Sequence, residues 1–334
     1  MHMSDALISP LVGGSMIILT SAATNYSINK IKYEYDDKKI PLMGVMGAFV
    51  FAAQMINFTI PGTGSSGHLG GGLLLSIFLG PYAGFITMAT ILLIQALLFA
   101  DGGLLAYGCN VLNLGFYSAF IAYPFIYKKI ISKGYSKKNI FTASILSAIV
   151  SLQLGAFSVV LQTVLSGKTE LPFTTFLLLM QPIHLAIGIV EGIITAFVVS
   201  YVYKVQPEIL EDKEKEHNEK LNYKKILVSF ILITALTGGI LSWYASSYPD
   251  GLEWSILKTT GSEELEAKGA FHQYFGKLQE KVSIMPDYNF KNAKENSDGK
   301  IGTSTSGILG SSATLGVILL IGYAIKRFKK TNNV

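Results

Sequence analysis

Cysteine is almost missing: the 334 residues hold a single one, Cys109, inside an apolar run. That excludes a disulfide framework and any Cys-rich metal site. Charge is scarce too. Asp, Glu, Lys and Arg make up 15% of the chain, against roughly 25% in an ordinary soluble domain, which argues against a soluble enzyme. The formal net charge is +5, but the lysines fall in short segments between apolar runs, where a membrane protein needs them, so nucleic acid is not implied. The start, MHMSDALISP, lacks the Lys/Arg-rich opening of a cleavable signal. His2 is too large for the aminopeptidases that remove an initiator Met, so the expected mature chain begins Met1-His2. Neither HExxH nor a phosphate-binding GxxxxGK(S/T) loop occurs. Gly64-Ser65-Ser66-Gly67 is one residue short of a GxSxG elbow. The first five apolar spans carry no acidic or basic residue at mid-depth, hence no obvious proton relay, so any energy input would have to come from a partner.

What the chain does have is apolar length. Half of its residues are hydrophobic and its mean hydropathy is +0.43, which reads as an integral membrane protein. The expected spans are 7–29, 41–58, 69–79, 81–99, 107–127, 139–163, 172–203, 226–246 and 303–325. Span 69–79 is too short to cross alone and reads as a half-span turning at Gly80-Pro81. With the N-terminus outside, and that short span counted as a crossing, the inside segments hold 19 of the 27 basic residues. The expected topology therefore has nine crossings, an extracellular N-terminus and a cytoplasmic C-terminus. Three regions follow: residues 1–205, a seven-span unit; 206–225, a charged cytoplasmic linker; and 226–334, two spans around an external loop at 247–302. That loop carries 9 acidic and 7 basic residues and reads as a small, near-neutral cap.

The polar residues inside this frame carry the chemistry. A histidine at position two behind a free amine offers three nitrogens to one metal: the Met1 amine, the His2 backbone nitrogen and His2 Nδ1. Ni(II) and Cu(II) favour such tetragonal nitrogen sites, Co(II) less readily. The competing reading is an ordinary second residue on a frayed terminus. His68 lies in PGTGSSGHLGGGLL, residues 61–74, an irregular loop that a membrane protein tolerates only when it is buried or lines a cavity. His68 reads either as a fourth in-plane nitrogen or as a loop histidine bonded to a carbonyl. On one membrane face, His2 and His68 together make a better metal hypothesis than either alone. Ser66, Gln95, Asp101, Asn110 and Asn113 are the polar neighbours, read either as groups that orient the ligating histidines or as partners for loop backbone. His184 and Glu191 are seven apart on one helical face, read first as helix–helix hydrogen-bonding residues and alternatively as a second site or a contact (coupling) with a partner. His217 in the linker and His272 in the loop are expected to be solvated.

These motifs, in this order, resemble the CbiM/NikM family, the substrate-binding S components of cobalt and nickel energy-coupling-factor (ECF) transporters. The resemblance rests on Met1-His2 with Asp5 and Ser9-Pro10; on Ser66-Gly67-His68-Leu69 followed by Gly70-Gly71-Gly72; on Leu79-Gly80-Pro81; on Gln95 through Gly103 and Gly108-Cys109-Asn110; and on Gln181-Pro182-Ile183-His184 with Glu191. The tail, with Tyr248-Pro249-Asp250-Gly251-Leu252-Glu253-Trp254-Ser255 and Met285-Pro286-Asp287-Tyr288, is similar to the small NikN/CbiN-like accessory subunit of the same transporters, fused here. Met3 and Ala6 depart from the Ile and Gly common there.

The resemblance implies an all-α membrane protein: a seven-helix S-component bundle plus a two-helix C-terminal unit with an extracellular loop. It implies Met1, His2 and His68 as metal ligands, no catalytic residues, and a nickel ion as transported ligand, with cobalt uptake for cobalamin synthesis as the alternative. It also implies a transmembrane coupling (T) protein and two cytoplasmic ATPase subunits as partners. Thr20, Ser21, Ala22, Ala23, Thr24 and Ser27 serve either contact with the coupling protein or internal packing. The competing classes are a membrane metal-dependent hydrolase with Asp101 as base and a structural membrane subunit without ligand.

Overall fold

Backbone surrounded by lipid must satisfy its own hydrogen bonds, and the apolar runs accordingly fold as helices. The computed structural model of the chain describes residues 1–33, 39–168, 171–210, 224–263, 265, 269–291 and 299–331. Helix α1 is Pro10–Tyr33 and α2 is Lys39–Gln54. A short antiparallel hairpin follows, β1 Phe58–Ile60 against β2 Ser65–Gly67, with Phe58 opposite Gly67. Then come α3 Gly72–Leu79, α4 Pro81–Leu98 and α5 Tyr107–Ile131. Within α5, Val111–Tyr127 is wound as a wider π-helix. Helices α6 Lys137–Ser166 and α7 Phe173–Val205 complete the first unit. The C-terminal part contributes α8 Lys224–Gly239, α9 Gly251–Thr260, α10 Ala270–Val282 and α11 Gly299–Thr331.

Five of these helices, α4, α5, α6, α7 and α11, are long and apolar enough to cross a membrane. The first expected span, 7–29, begins instead at Pro10. Proline suits a first helical position because that N–H has no helical partner anyway, and the residues before it are left for other contacts. The expected span 69–79 contracts to the eight residues of α3, about 12 Å long, and folds back through Gly80 into α4. Gly80 has φ +82°, and a Cβ at Gly84 would stand 2.8 Å from the Ser76 backbone nitrogen, so the two helices touch nearly backbone to backbone. The expected span 226–246 stops at Gly239, followed by a 3-10 turn at Leu241–Tyr244. Residues 211–223 of the linker, His217 included, lie outside the described residues.

The two parts of the chain are packed together. Helix α11 lies along α2, where a Cβ at Gly47 would strike Ile318 and one at Gly310 would strike Phe51. It meets α8 at Gly238 and Gly307, whose backbones touch. Small residues that permit close approach are the usual means of helix association in lipid. The described parts of loop 247–302 form a cap: α9 and α10 sit over the end of the bundle that holds the N-terminus and the β1–β2 hairpin.

Candidate metal centre

Chain termini are usually loose, but this one is threaded into the core. Met1 is 4% exposed and Met3, Leu7 and Ile8 are at most 1% exposed. A short 3-10 turn at Asp5–Leu7 carries the segment to α1. Asn110 on α5 clasps the Met3 peptide from both sides: Met3 N–H donates to Asn110 Oδ1 at 2.8 Å, and Asn110 Nδ2 donates to Met3 O at 3.1 Å. Gly103 N–H donates to the same carbonyl at 2.9 Å, and Asp5 Oδ1 accepts from Ala106 N–H at 3.0 Å. Gly103 has to be glycine, because a Cβ there would overlap the Asp5 carboxylate. Replacing Asn110 with Ala leaves the Met3 N–H buried without a partner, which costs about 1–3 kcal/mol; a lowered midpoint in thermal unfolding of the purified protein checks this.

So fixed, the first two residues meet His68. The Met1 amine lies 3.1 Å from His68 Nε2. The His2 and His68 rings stack, centroids 5.0 Å apart and planes 14° from parallel. His68 Nδ1 is 3.1 Å from the Leu69 carbonyl oxygen, so Nδ1 carries the proton and Nε2 presents its lone pair. Burial, then the Met1 ammonium and His2, lower the His68 pKa to about 3, which keeps the imidazole neutral and ligand-ready at neutral pH. His2 Nδ1 is 2.9 Å from Asp101 Oδ1. Burial opposes ionisation of Asp101, but His2 and the Tyr288 hydroxyl outweigh it and hold the carboxyl at about 2.

The C-terminal cap completes the centre. Asp250 Oδ2 accepts from the Met1 amine at 2.6 Å. The other oxygen of that carboxylate caps α9, accepting from Leu252 N–H at 2.7 Å and Glu253 N–H at 3.0 Å. Glu253 returns the bond to Asp250 N–H, a reciprocal capping box. Although burial disfavours its charge, the Met1 ammonium and His68 hold the Asp250 carboxyl well below the usual range. The adjacent Asp250 charge, then burial, push Glu253 up to about 7. Ser66 fastens the turn, its N–H to Pro249 O at 2.8 Å and its Oγ to Tyr248 O at 2.7 Å. On the other flank Tyr288 donates to Asp101 Oδ2 and stacks on Phe99. Between cap and bundle lies a cavity of about 870 Å³, lined by His2, His68, Asp101, Asp250, Glu253 and Tyr288 among others.

Among the described residues no group of three or more His, Cys, Asp or Glu side chains is arranged to hold a metal. A metal here therefore needs the backbone amine and amide that lie beside His68.

Residues 2–209 match the family model for CbiM, described as the cobalt uptake substrate-specific transmembrane region. The chain belongs to the CbiM family. Residues 224–327 of this CbiM-family chain match the PDGLE domain, named for the sequence Pro249 to Glu253. A putative fused nickel transport protein NikMN of Archaeoglobus fulgidus is 31% identical over 99% of this chain and 100% of its own length. A cobalt transport protein CbiM of Clostridium tetani is 26% identical over 63% of this chain and 88% of its own. A crystal structure of a transition metal transporter aligns with a TM-score of 0.56 and 29% identity, over 66% of this chain and all of that one. The family is one of metal transport components, which sets aside the hydrolase.

For this CbiM-family chain, the structure brings Met1, His2 and His68 together and adds Asp101 beside His2. The other expected neighbours bond the backbone, the cap or other side chains instead. Asn110 holds Met3, not a histidine, and Ser66 holds the cap. Gln95 Nε2 donates to Gln54 Oε1 at 2.9 Å, and Asn113 Nδ2 to Gln162 Oε1 at 2.9 Å. The expected helix–helix bond of His184 and Glu191 does not form. His184 Nδ1 donates to Met180 O on its own helix at 2.8 Å. The Glu191 carboxylate accepts from Gly70 and Gly71 N–H at 2.8 and 3.0 Å, because the loop entering α3 leaves those amides without ladder partners. His272, expected to be solvated, is 3% exposed and lies 2.8 Å through Nε2 from Ile8 O. Asp250 and Tyr288 lie in the tail motifs, and both meet partners far away in the chain, Met1 and Asp101.

Removing the Asp250 carboxylate should free the terminal amine. Breaking a buried pair costs about 3–5 kcal/mol, and a 1.4 kcal/mol share already means about tenfold. Asp250→Ala is therefore expected to raise acylation of the Met1 amine by about tenfold or more, measured by mass spectrometry after brief labelling at neutral pH.

Proposed function

We propose that this chain is the substrate-binding component of an ATP-driven ECF-type uptake transporter, and that it captures Ni(II) with the Met1 amine, the His2 amide and Nδ1, and His68 Nε2. The observation that carries the reading is the approach of the Met1 amine to His68 Nε2, 3.1 Å, beneath a stacked His2 ring. Four nitrogens of this kind suit a planar metal such as Ni(II). To close the chelate, His2 Nδ1 exchanges Asp101 for the metal. Support for nickel over cobalt comes from the relative that spans both parts of this chain, named as a nickel transport protein. A fused nickel transport protein NikMN of Rhodobacter capsulatus, 28% identical over 63% of this chain, points the same way. With no phosphate-binding loop in the sequence, ATP hydrolysis falls to two cytoplasmic ATPase subunits, joined by a transmembrane coupling protein. The lysine distribution supports an extracellular N-terminus and capture from outside.

Metal content and the visible spectrum of the purified chain beginning at Met1 test the proposal. Stoichiometric nickel with a planar four-nitrogen d–d band is the expected result. Bound cobalt would keep the site and change the cargo, and absence of both metals would overturn the reading.

A further inference from the structure

His184 on α7 is 1% exposed. Its Nδ1–H is committed to the Met180 carbonyl, so Nε2 carries the lone pair, and Nε2 has no hydrogen-bond partner among the described residues. The ring stands at a small chamber whose walls also include Met1, His68 and Asp250. Its volume is about 10 Å³, measured as space open to the centre of a water molecule, which is room for about one water. The PDGLE turn forms one wall: a Cβ on Gly251 would lie 2.5 Å from Ile183 Cγ2 and 3.1 Å from His184 Cε1. Cap and bundle thus meet flush around this space, and the lining brings an amine, two imidazoles and a carboxylate to it.

We propose that the chamber holds one water as an apical ligand of the captured metal, and that His184 thereby determines whether Co(II) is accepted beside Ni(II). This rests on the terminal-chelate reading above. The water's oxygen faces the metal, while its two hydrogens go to His184 Nε2 and the Asp250 carboxylate. Three partners are what a buried water ordinarily has. Both acceptors are fixed before the metal arrives, His184 by Met180 and Asp250 by the α9 cap. Planar Ni(II) is satisfied by four nitrogens and gains little from a fifth ligand. Co(II) favours higher coordination and gains from it. His184 is therefore a positioning residue, acting through the water and not touching the metal itself.

The test compares Ni(II) and Co(II) binding to the full chain with authentic Met1, in wild type and in His184→Phe, which fills the ring space without a lone pair. Co(II) affinity is expected to fall about 10- to 100-fold, the usual effect of removing an outer partner, while Ni(II) affinity and its visible band stay within about threefold. Retained Ni(II) binding also reports an intact fold. Equal losses for both metals, or no loss for Co(II), would overturn the proposal. A second measurement needs no variant: the electron paramagnetic resonance signal of the Co(II)-loaded wild type should broaden in water enriched in oxygen-17. An unbroadened signal overturns the apical water while leaving the chelate standing. A wild type that binds neither metal overturns the chelate, and this inference with it.

Discussion

Under the proposed terminal chelate, one residue placed ahead of Met1 is expected to remove tight Ni(II) binding. The extension turns the terminal amine into an amide, which removes one nitrogen of the chelate and the charge that Asp250 Oδ2 meets at 2.6 Å. Met1 is 4% exposed, and its amine lies against His68 Nε2 at 3.1 Å and Asp250 Oδ2 at 2.6 Å, so an added residue must displace these contacts. Loss of one ligand nitrogen, with the first residues displaced, is expected to cost more than about 2.8 kcal/mol of binding free energy, about a hundredfold in affinity. The expected loss is therefore at least about a hundredfold, with the planar d–d band gone. Titration calorimetry and the visible spectrum of the two proteins, compared side by side, give the answer. Tight Ni(II) binding by the extended form would show that the amine is not a ligand.

His68→Ala has an effect of similar size with a different signature. In the proposed chelate the neutral ring, its tautomer set by the Leu69 carbonyl, supplies the nitrogen that does not come from the terminus. Its removal leaves a three-nitrogen chelate with water in the fourth position. Affinity is expected to fall by about a hundredfold or more, well above the 10- to 100-fold typical of merely orienting partners, and the absorption band should move to lower energy as a weaker ligand enters. His217→Ala, in the charged linker, should leave both unchanged. Equal behaviour of the two variants would remove His68 from the site.

Much of this centre could be read from the sequence because its parts are local. A histidine at position two is a chelator by its covalent structure, and the glycine-rich run around His68 announces irregular backbone near the terminus. What escaped were partnerships across long stretches of chain. Asp250 and Met1 are 249 residues apart, and within its own segment Asp250 reads fully as a helix cap, which it also is. His272 begins a helix with a strongly polar face, so its burial depends on where Ile8 lies. His184 and Glu191 do share the buried side of α7, as their spacing requires. Periodicity locates a face but does not choose a partner, and the free amides of Gly70 and Gly71 claimed Glu191. Likewise, span 69–79 is apolar enough for a crossing, but its opening glycines form a left-handed turn at Gly71, φ +79°, and leave eight residues of helix.

A single carboxylate, Asp250, fastens the first residue of the chain and begins helix α9. The two tasks are thermodynamically linked. Whatever draws the amine away from Oδ2 alters the stability of the α9 start, and whatever frays that start alters the hold on the amine by the same free energy. The backbone amides of Leu252 and Glu253, far from the terminus in sequence, thereby become reporters of its occupancy, readable as hydrogen-exchange rates. Fusion of the two parts makes this reciprocity intramolecular: the cap meets the terminus at a fixed effective concentration, independent of how many copies of either the membrane contains.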